Sequence, residues 1–212
     1  MPDRPTYGRL KSTGPRTRAF IGIELPQELK THIQKIQNSL PTNVVPENPD
    51  TLHIELVYLG HIAQERLSAA HRAVREQVRK AQPFEAKVGS LDYYYSGERR
   101  DHSIIYLSIK DPDKNLQSLF KTITNALRSE EFSPPHRLDP HIAIGSLPKQ
   151  RDRNLQTKML EDIIKKEVRE STLTVNYLTF FQELRGGGIK PILHVSLRCP
   201  SVSESKGDAA IS

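Results

Sequence analysis

The sequence predicts an α+β fold, bilobal and duplicated, with two mainly antiparallel sheets facing a central groove and helices outside. Two observations predict it. The order strand, helix, histidine-bearing strand, helix, strand occurs twice along the 212 residues. A duplicated unit gives two lobes related by a pseudo-two-fold axis, so equivalent residues face each other across the groove. The second observation is the period-two alternation within the histidine-bearing strands. In residues 51–60, TLHIELVYLG, Leu52, Ile54 and Leu56 take one face, and His53, Glu55 and Val57 take the other. In residues 140–147, PHIAIGSL, Ile142 and Ile144 take the core face, and His141, Ala143 and Gly145 the opposite one. An imidazole begins the non-core face of each strand, and the duplication places His53 opposite His141.

The other elements follow in order. Residues 20–25, FIGIEL, form a strand closed by Pro26. From 27 to 40, Leu29, Ile33, Ile36 and Leu40 fall at helical spacing. Pro41, Pro46 and Pro49 make the next segment a loop before the His53 strand, which Gly60 ends. Residues 64–80 form a helix with Leu67, Ala70, Val74 and Val78 on one stripe, and 84–95 a strand ending at the Ser96-Gly97 turn signal.

In the second half, 103–110 is a strand and 114–128 a helix with Leu116, Leu119, Phe120, Ile123 and Leu127 inward. A Ser133-Pro134-Pro135 loop precedes the His141 strand. Residues 151–169 are expected as one long charged helix, 171–182 as one strand, Gly186-Gly187-Gly188 as a turn and 191–198 as the last strand. The domain therefore spans 19–199. Residues 1–18 read as a disordered leader, because Pro2, Pro5 and Pro15 oppose the amphipathic helix of a transit peptide. Residues 200–212, small and polar, read as a disordered tail.

Composition narrows the function classes. No run approaches the ~20 apolar residues of a membrane helix. Hydrophobic residues make up 36% and charged residues 26%, enough for a packed core under a very polar surface. The single cysteine, Cys199, permits no internal disulfide and no cysteine cluster for zinc, which fits a reducing compartment. The net charge of +6 suits a polyanion such as RNA and is equally common on proteins that bind none.

With these motifs in view, the chain resembles the 2H phosphoesterases, in the branch of 2′-5′ RNA ligases and RNA 2′,3′-cyclic phosphodiesterases. That family carries two His-x-Thr/Ser-x motifs with hydrophobic x. Here they stand as His53-Ile54-Glu55-Leu56 and His141-Ile142-Ala143-Ile144. Residues 46–60, PENPDTLHIELVYLG, look like the family's first motif with its flanks, Pro140-His141 like its Pro-His, and 181–197 like its closing hairpin. The resemblance covers roughly residues 18–198.

The resemblance implies opening of a 2′,3′-cyclic phosphate to a 2′-phosphate. One histidine takes a proton from water and the other protonates the leaving 3′-oxygen. Two imidazoles suit this, since their ordinary pKa lies near neutrality. No cofactor and no metal are expected; a 2-His-1-carboxylate set of His53, His141 and Glu55 has neither spacing nor family behind it. The motif hydroxyls would hydrogen-bond the phosphate, a type of contact typically contributing ~10²–10³-fold in rate. Here Glu55 and Ala143 replace both, and Ser146 stands where relatives often carry arginine. An ionised Glu55 would repel phosphate unless it is protonated or turned to a Lys or Arg. It would also raise the pKa of His53 if it lay against it.

Tyr93-Tyr94-Tyr95, followed by Ser96-Gly97-Glu98-Arg99-Arg100, has two readings. One is a base-stacking and phosphate-contacting edge, with Tyr94 as the substrate contact. The other is a strand end with one buried tyrosine and a solvated charge run. His32, His61, His71, His102, His136 and His194 read as structural or surface residues.

The expected partners are RNA ends or nucleotides with a 2′,3′-cyclic phosphate or 2′-5′ linkage, met by a cytoplasmic monomer with no membrane association. The alternatives are a catalytically impaired member that binds RNA or a nucleotide in the same groove, and a basic interaction domain without a nucleotide site.

Overall fold

Apolar residues at period two, punctuated by proline and helical stripes, produce nine strands and four α-helices in the computed structural model, which describes residues 15–96, 102–150, 152–185 and 188–198. In order they are β1 (Arg16–Glu24), α1 (Gln27–Asn38), β2 (Val45–Pro46), β3 (His53–Ala63), α2 (Gln64–Val78), β4 (Phe84–Ser96) and β5 (His102–Lys110). Then come α3 (Asn115–Ser129), β6 (His141–Pro148), α4 (Arg153–Ile164), β7 (Ser171–Val175), β8 (Tyr177–Glu183) and β9 (Ile189–Ser196). A single 3₁₀ turn, Pro49–Thr51, precedes β3; the Asn48 side chain caps it by accepting from the Asp50 N–H at 3.0 Å.

All strand pairs are antiparallel, in a four-stranded sheet of order β3-β1-β8-β9 and a five-stranded sheet of order β2-β6-β5-β4-β7. The two sheets share a three-strand plan. A histidine strand lies at one side, the opening strand of its repeat in the middle, and the closing strand of the other repeat beyond it. Thus β3-β1-β8 corresponds to β6-β5-β4, and each half of the chain completes the sheet of the other. The core is continuous across both lobes and includes Ile21, Ile54 and Phe180 together with Ile105, Ile142 and Leu147.

The expected strand over 171–182 is two strands in different sheets. The break falls at Asn176, whose carbonyl accepts from the Leu197 N–H at 2.8 Å. β7 pairs with β4 and β8 pairs with β1. One extended run therefore crosses from lobe to lobe, which hydropathy alone does not reveal. The helix expected over 151–169 is described only as Arg153–Ile164, with its N-terminus capped by Asp152, which accepts from the Asn154 and Leu155 N–H groups. Past its end, Val168 packs on the core from irregular chain.

Gly60 does not end the His53 strand. It takes φ 73°, in the left-handed region open to glycine, and β3 runs on to Ala63. Opposite it, β1 begins at Arg16, so residues 16–18 of the expected leader pair with Ala63, Ile62 and His61. Residues 1–14, the tail over 200–212, the Gly97–Arg100 charge run and the first two glycines of the triple-glycine turn lie outside the described residues. Among the described residues no helix is long and apolar enough to cross a membrane.

Candidate active site

The two histidine strands carry the same irregularity. In β3, Gly22 pairs with Glu55 and Ile21 with Val57, so Leu56 is an extra residue. In β6, Tyr106 pairs with Ala143 and Ile105 with Gly145, so Ile144 is the extra residue. Each bulge falls three residues after its histidine and reverses which face the following residues take. That corrects the expected alternation. Val57 and Gly145 are buried, and the half-buried face passes to Tyr58 and Ser146. Ser146 thus returns to the face of His141 and Ala143, where a residue at an odd offset would otherwise point into the core.

Both imidazoles are held alike. His53 Nδ1 lies 2.7 Å from the Thr51 carbonyl oxygen, and His141 Nδ1 lies 2.9 Å from that of Asp139. A carbonyl can only accept, so Nδ1 carries the hydrogen in both rings and Nε2 is the atom that takes up and gives up a proton. Each ring also leans on two aromatic rings. His53 lies 4.7 Å from Phe20 and 5.6 Å from Phe181, which stack on each other at 4.9 Å. His141 lies 5.0 Å from Tyr106 and 5.5 Å from Tyr94.

The strands β3 and β6 touch, and the two histidines sense each other. Burial pushes the His53 pKa below its ordinary value. The Thr51 hydrogen bond opposes that shift, and repulsion from His141 reinforces it. The carboxylate that acts to raise it is Glu183 rather than Glu55, and burial prevails. A Glu55 that raises the pKa of His53 and makes it a better acid is therefore not what the groove holds: Glu55 remains exposed on the groove face, and the net shift of His53 is downward.

Tyr94 belongs to this site as well. Its phenol pKa is raised by burial first, then by the negative charges of Glu55, Asp139 and Glu47. Glu55 and Tyr94 come from different sheets, so the groove gathers both lobes around His141. Tyr106 is pushed up to about 12, by burial first and then by the charge of Asp92 and a hydrogen bond to it. That bond leaves the Tyr106 ring against His141 and its hydroxyl committed to a carboxylate. Ala143, paired with Tyr106, puts only a methyl group on the groove.

On the His53 side the groove opens into a cavity of about 910 Å³. His53, Glu55 and Phe20 line its near end, and Arg18, His61 and Arg185 are among the residues beyond. His61, read from the sequence as structural or surface, receives the Arg18 Nε–H on its Nε2 at 2.9 Å. Sequence reasoning missed Phe20, Phe181, Tyr106 and Arg18. The one available signal was an aromatic or basic residue on the groove side of each neighbouring strand, and it needs the pairing register to be read. Among the described residues no group of three or more His, Cys, Asp or Glu side chains is gathered to hold a metal ion.

Comparison with known proteins agrees with this architecture. Residues 25–187 match the 2′-5′ RNA ligase superfamily. The chain is 22% identical over 156 residues to an RNA 2′,3′-cyclic phosphodiesterase of Methanothermobacter thermautotrophicus, covering 72% of this chain and 83% of that one. It is 26% identical over 152 residues to an RNA 2′,3′-cyclic phosphodiesterase of Thermotoga maritima, covering 69% and 77%. Among solved structures it is similar to Escherichia coli LigT in complex with 3′-AMP, with a TM-score of 0.68, 18% identity, and 86% and 98% of the two chains covered. A two-sheet α+β fold with a histidine from each lobe at a shared groove defines a 2H phosphoesterase architecture. The chain belongs to the 2′-5′ RNA ligase superfamily.

Proposed function

We propose that this protein is an RNA-directed phosphoesterase that opens 2′,3′-cyclic phosphate ends, or acts on 2′-5′ linkages, with His53 and His141 as base and acid. The observation that carries the reading is the matched tethering of the two imidazoles, each with Nδ1 on a backbone carbonyl and Nε2 left for proton exchange. Relatives named as RNA 2′,3′-cyclic phosphodiesterases support the same substrate class.

In the hydrolytic direction, water attacks phosphorus while a neutral imidazole takes its proton. The bond from phosphorus to the 3′-oxygen breaks, and the protonated imidazole gives its proton to that oxygen, leaving a 2′-phosphate. Burial and the His141 charge favour the neutral form of His53, so His53 is the base and His141 the acid. Both proton transfers are supplied by imidazole, so the step requires no metal.

Tyr94 takes over part of what the absent hydroxyls would do. A tyrosine phenol is protonated near neutral pH, burial only reinforces that here, and a protonated phenol beside His141 can donate to a phosphate oxygen. Ala143 and Ser146 line the same face. Glu55 supports a second reading, in which the groove binds RNA or a nucleotide with little turnover, because a carboxylate faces the phosphate position.

The test is hydrolysis of a nucleoside 2′,3′-cyclic phosphate by the pure protein beside His53→Ala and His141→Ala. The expected result is turnover by wild type and losses of about 10²–10⁴-fold in each variant. Silence in all three, with retained nucleotide binding, selects the second reading. In that case Glu55→Thr combined with Ala143→Thr should raise activity.

A further inference from the structure

The cavity beside His53 is larger than one phosphate requires, and its chemistry changes along its length. Its near end carries the reacting imidazole and the Glu55 carboxylate. Its far end carries Arg16, Arg18 and Arg185. Among the described residues at that end Glu183 is the one carboxylate, and Arg18 engages it at 3.5 Å. Arg16 and Arg185 add two further positive charges. Between the arginines an apolar surface is exposed: Leu184 keeps 45% of its surface in solvent, and Ile189 lies beside it in the cavity wall.

Spacing links the two ends. The Phe20 ring lies 4.7 Å from His53, and Arg18 is two residues away on β1. Residues two apart on one strand face are separated by about 7 Å. The pairing register sets Arg18 opposite His61 and Arg16 opposite Ala63, so the two arginines follow one another along β1 beyond Phe20, away from the reacting imidazole.

We infer that the far end of this cavity is a subsite for a chain phosphate upstream of the cyclic end. Arg16, Arg18 and Arg185 would hold the phosphodiester, with Leu184 against the sugar or base. This rests on the proposed phosphoesterase reading and specifies its substrate as an RNA oligomer rather than a free nucleotide. Phosphate contacts from arginine position a strand without reading its sequence, so the preference is for length rather than base identity. The carboxylate at the near end and guanidinium groups at the far end also impose a direction on the chain.

The experiment measures binding and turnover separately. Binding is read by anisotropy for an RNA tetramer ending in a 3′-phosphate, with a nucleoside 3′-phosphate as competitor, from about 50 to about 200 mM salt. Turnover compares a tetramer and a mononucleotide, each with a 2′,3′-cyclic phosphate. The variants are Arg18→Gln, Arg185→Ala and, as a control of equal charge change, Arg72→Ala on α2, which lines a different cavity.

Wild type is expected to bind the tetramer at least tenfold tighter than the mononucleotide. Arg18→Gln and Arg185→Ala should each cut that ratio at least threefold and flatten the salt slope by about one. Equal binding of tetramer and mononucleotide overturns the subsite, as does an equal loss in Arg72→Ala. Binding preference without turnover of either cyclic substrate supports the subsite and counts against the catalytic reading. Turnover with no length preference does the reverse. Since Arg18 also bonds His61 and Glu183, Arg185→Ala, at an exposed turn position, tests the inference without that contact.

Discussion

Gln37, buried on α1, donates from Nε2 to the carbonyl of Ile144 at 2.8 Å, and Ile144 is the extra residue of the bulge in the second histidine strand. The same nitrogen donates to the Glu47 carbonyl at 2.8 Å, and the Glu47 N–H also donates to Ile144 O at 3.0 Å. A bulge takes a carbonyl out of the ladder, and a buried carbonyl needs a partner. Gln37 thus ties the helix, the loop before His53 and the strand of His141 into one hydrogen-bonded unit.

Gln37→Leu keeps the bulk and removes both bonds. A loss of about 1–3 kcal/mol in unfolding free energy is expected, because the buried Ile144 carbonyl and the half-buried Glu47 carbonyl each lose a donor. Turnover should fall as well, since the bulge sets which face Ser146 takes. A urea-unfolding midpoint equal to wild type would show that Gln37 is not needed to satisfy the bulge.

Gly22 lies between Glu55 of β3 and Thr179 of β8. A Cβ there would stand 2.4 Å from the Ile54 carbonyl oxygen, which is backbone and cannot swing aside. Gly22→Ala is expected to cost about 1–3 kcal/mol and to displace the His53 strand. Gly89→Ala is the comparison, as its Cβ would meet side-chain atoms alone, Lys110 Cε at 3.4 Å and Ser108 Oγ at 3.8 Å. Thermal melts of the two variants check the difference, and equal melting temperatures would count against the close approach.

Tyr94→Phe removes one oxygen and leaves the ring contacts with His141 and Tyr106. The residue is 38% exposed, so the fold should tolerate the change. A drop of roughly 10²-fold in kcat on a cyclic phosphate is expected if the phenol donates to the transition state. An unchanged kcat with raised KM would reduce Tyr94 to a stacking surface.

The pH dependence of stability has a definite sign at His53. Burial lowers its folded-state pKa below the ordinary 6.5, so the unfolded chain binds this proton at higher pH than the folded chain. Where the unfolded state holds more protons, stability rises with pH. The contribution is therefore present above about 6.5 and is lost as pH falls towards the lower folded value. His71 is lowered in the same sense, again by burial first, so the measurement is a difference. His53→Gln should show a shallower loss of stability than wild type in denaturant titrations below pH about 6.5. Parallel curves would remove His53 as a source of acid sensitivity.

Much of this fold was readable without coordinates, for a local reason. Ile54 and Leu56 in β3, and Leu116, Leu119 and Ile123 in α3, carry their burial in their spacing. His53 and His141 were found because each begins an alternating strand within a repeated order of elements. What stayed hidden was set by contacts between distant segments. The strand expected over 171–182 crosses between sheets at Asn176, because β1 and β4 each offer an edge to a different part of it. The alternation after each histidine reverses at Leu56 and Ile144, because a bulge is a property of the pairing and not of the strand alone.

The sequence by itself determined most of the elements, the duplication and the pair of histidines proposed to carry protons, since helix and strand periods and residue chemistry are local. Only the tertiary structure decided how the groove is furnished. It stacked Phe20 and Phe181 beside His53, set Tyr94 and Tyr106 against His141, placed burial rather than Glu55 in control of the His53 pKa, and joined Arg18 to His61 along the cavity wall. Each of these pairs residues from different strands, and side-chain neighbours across a sheet follow from register, which is fixed only when the whole core packs.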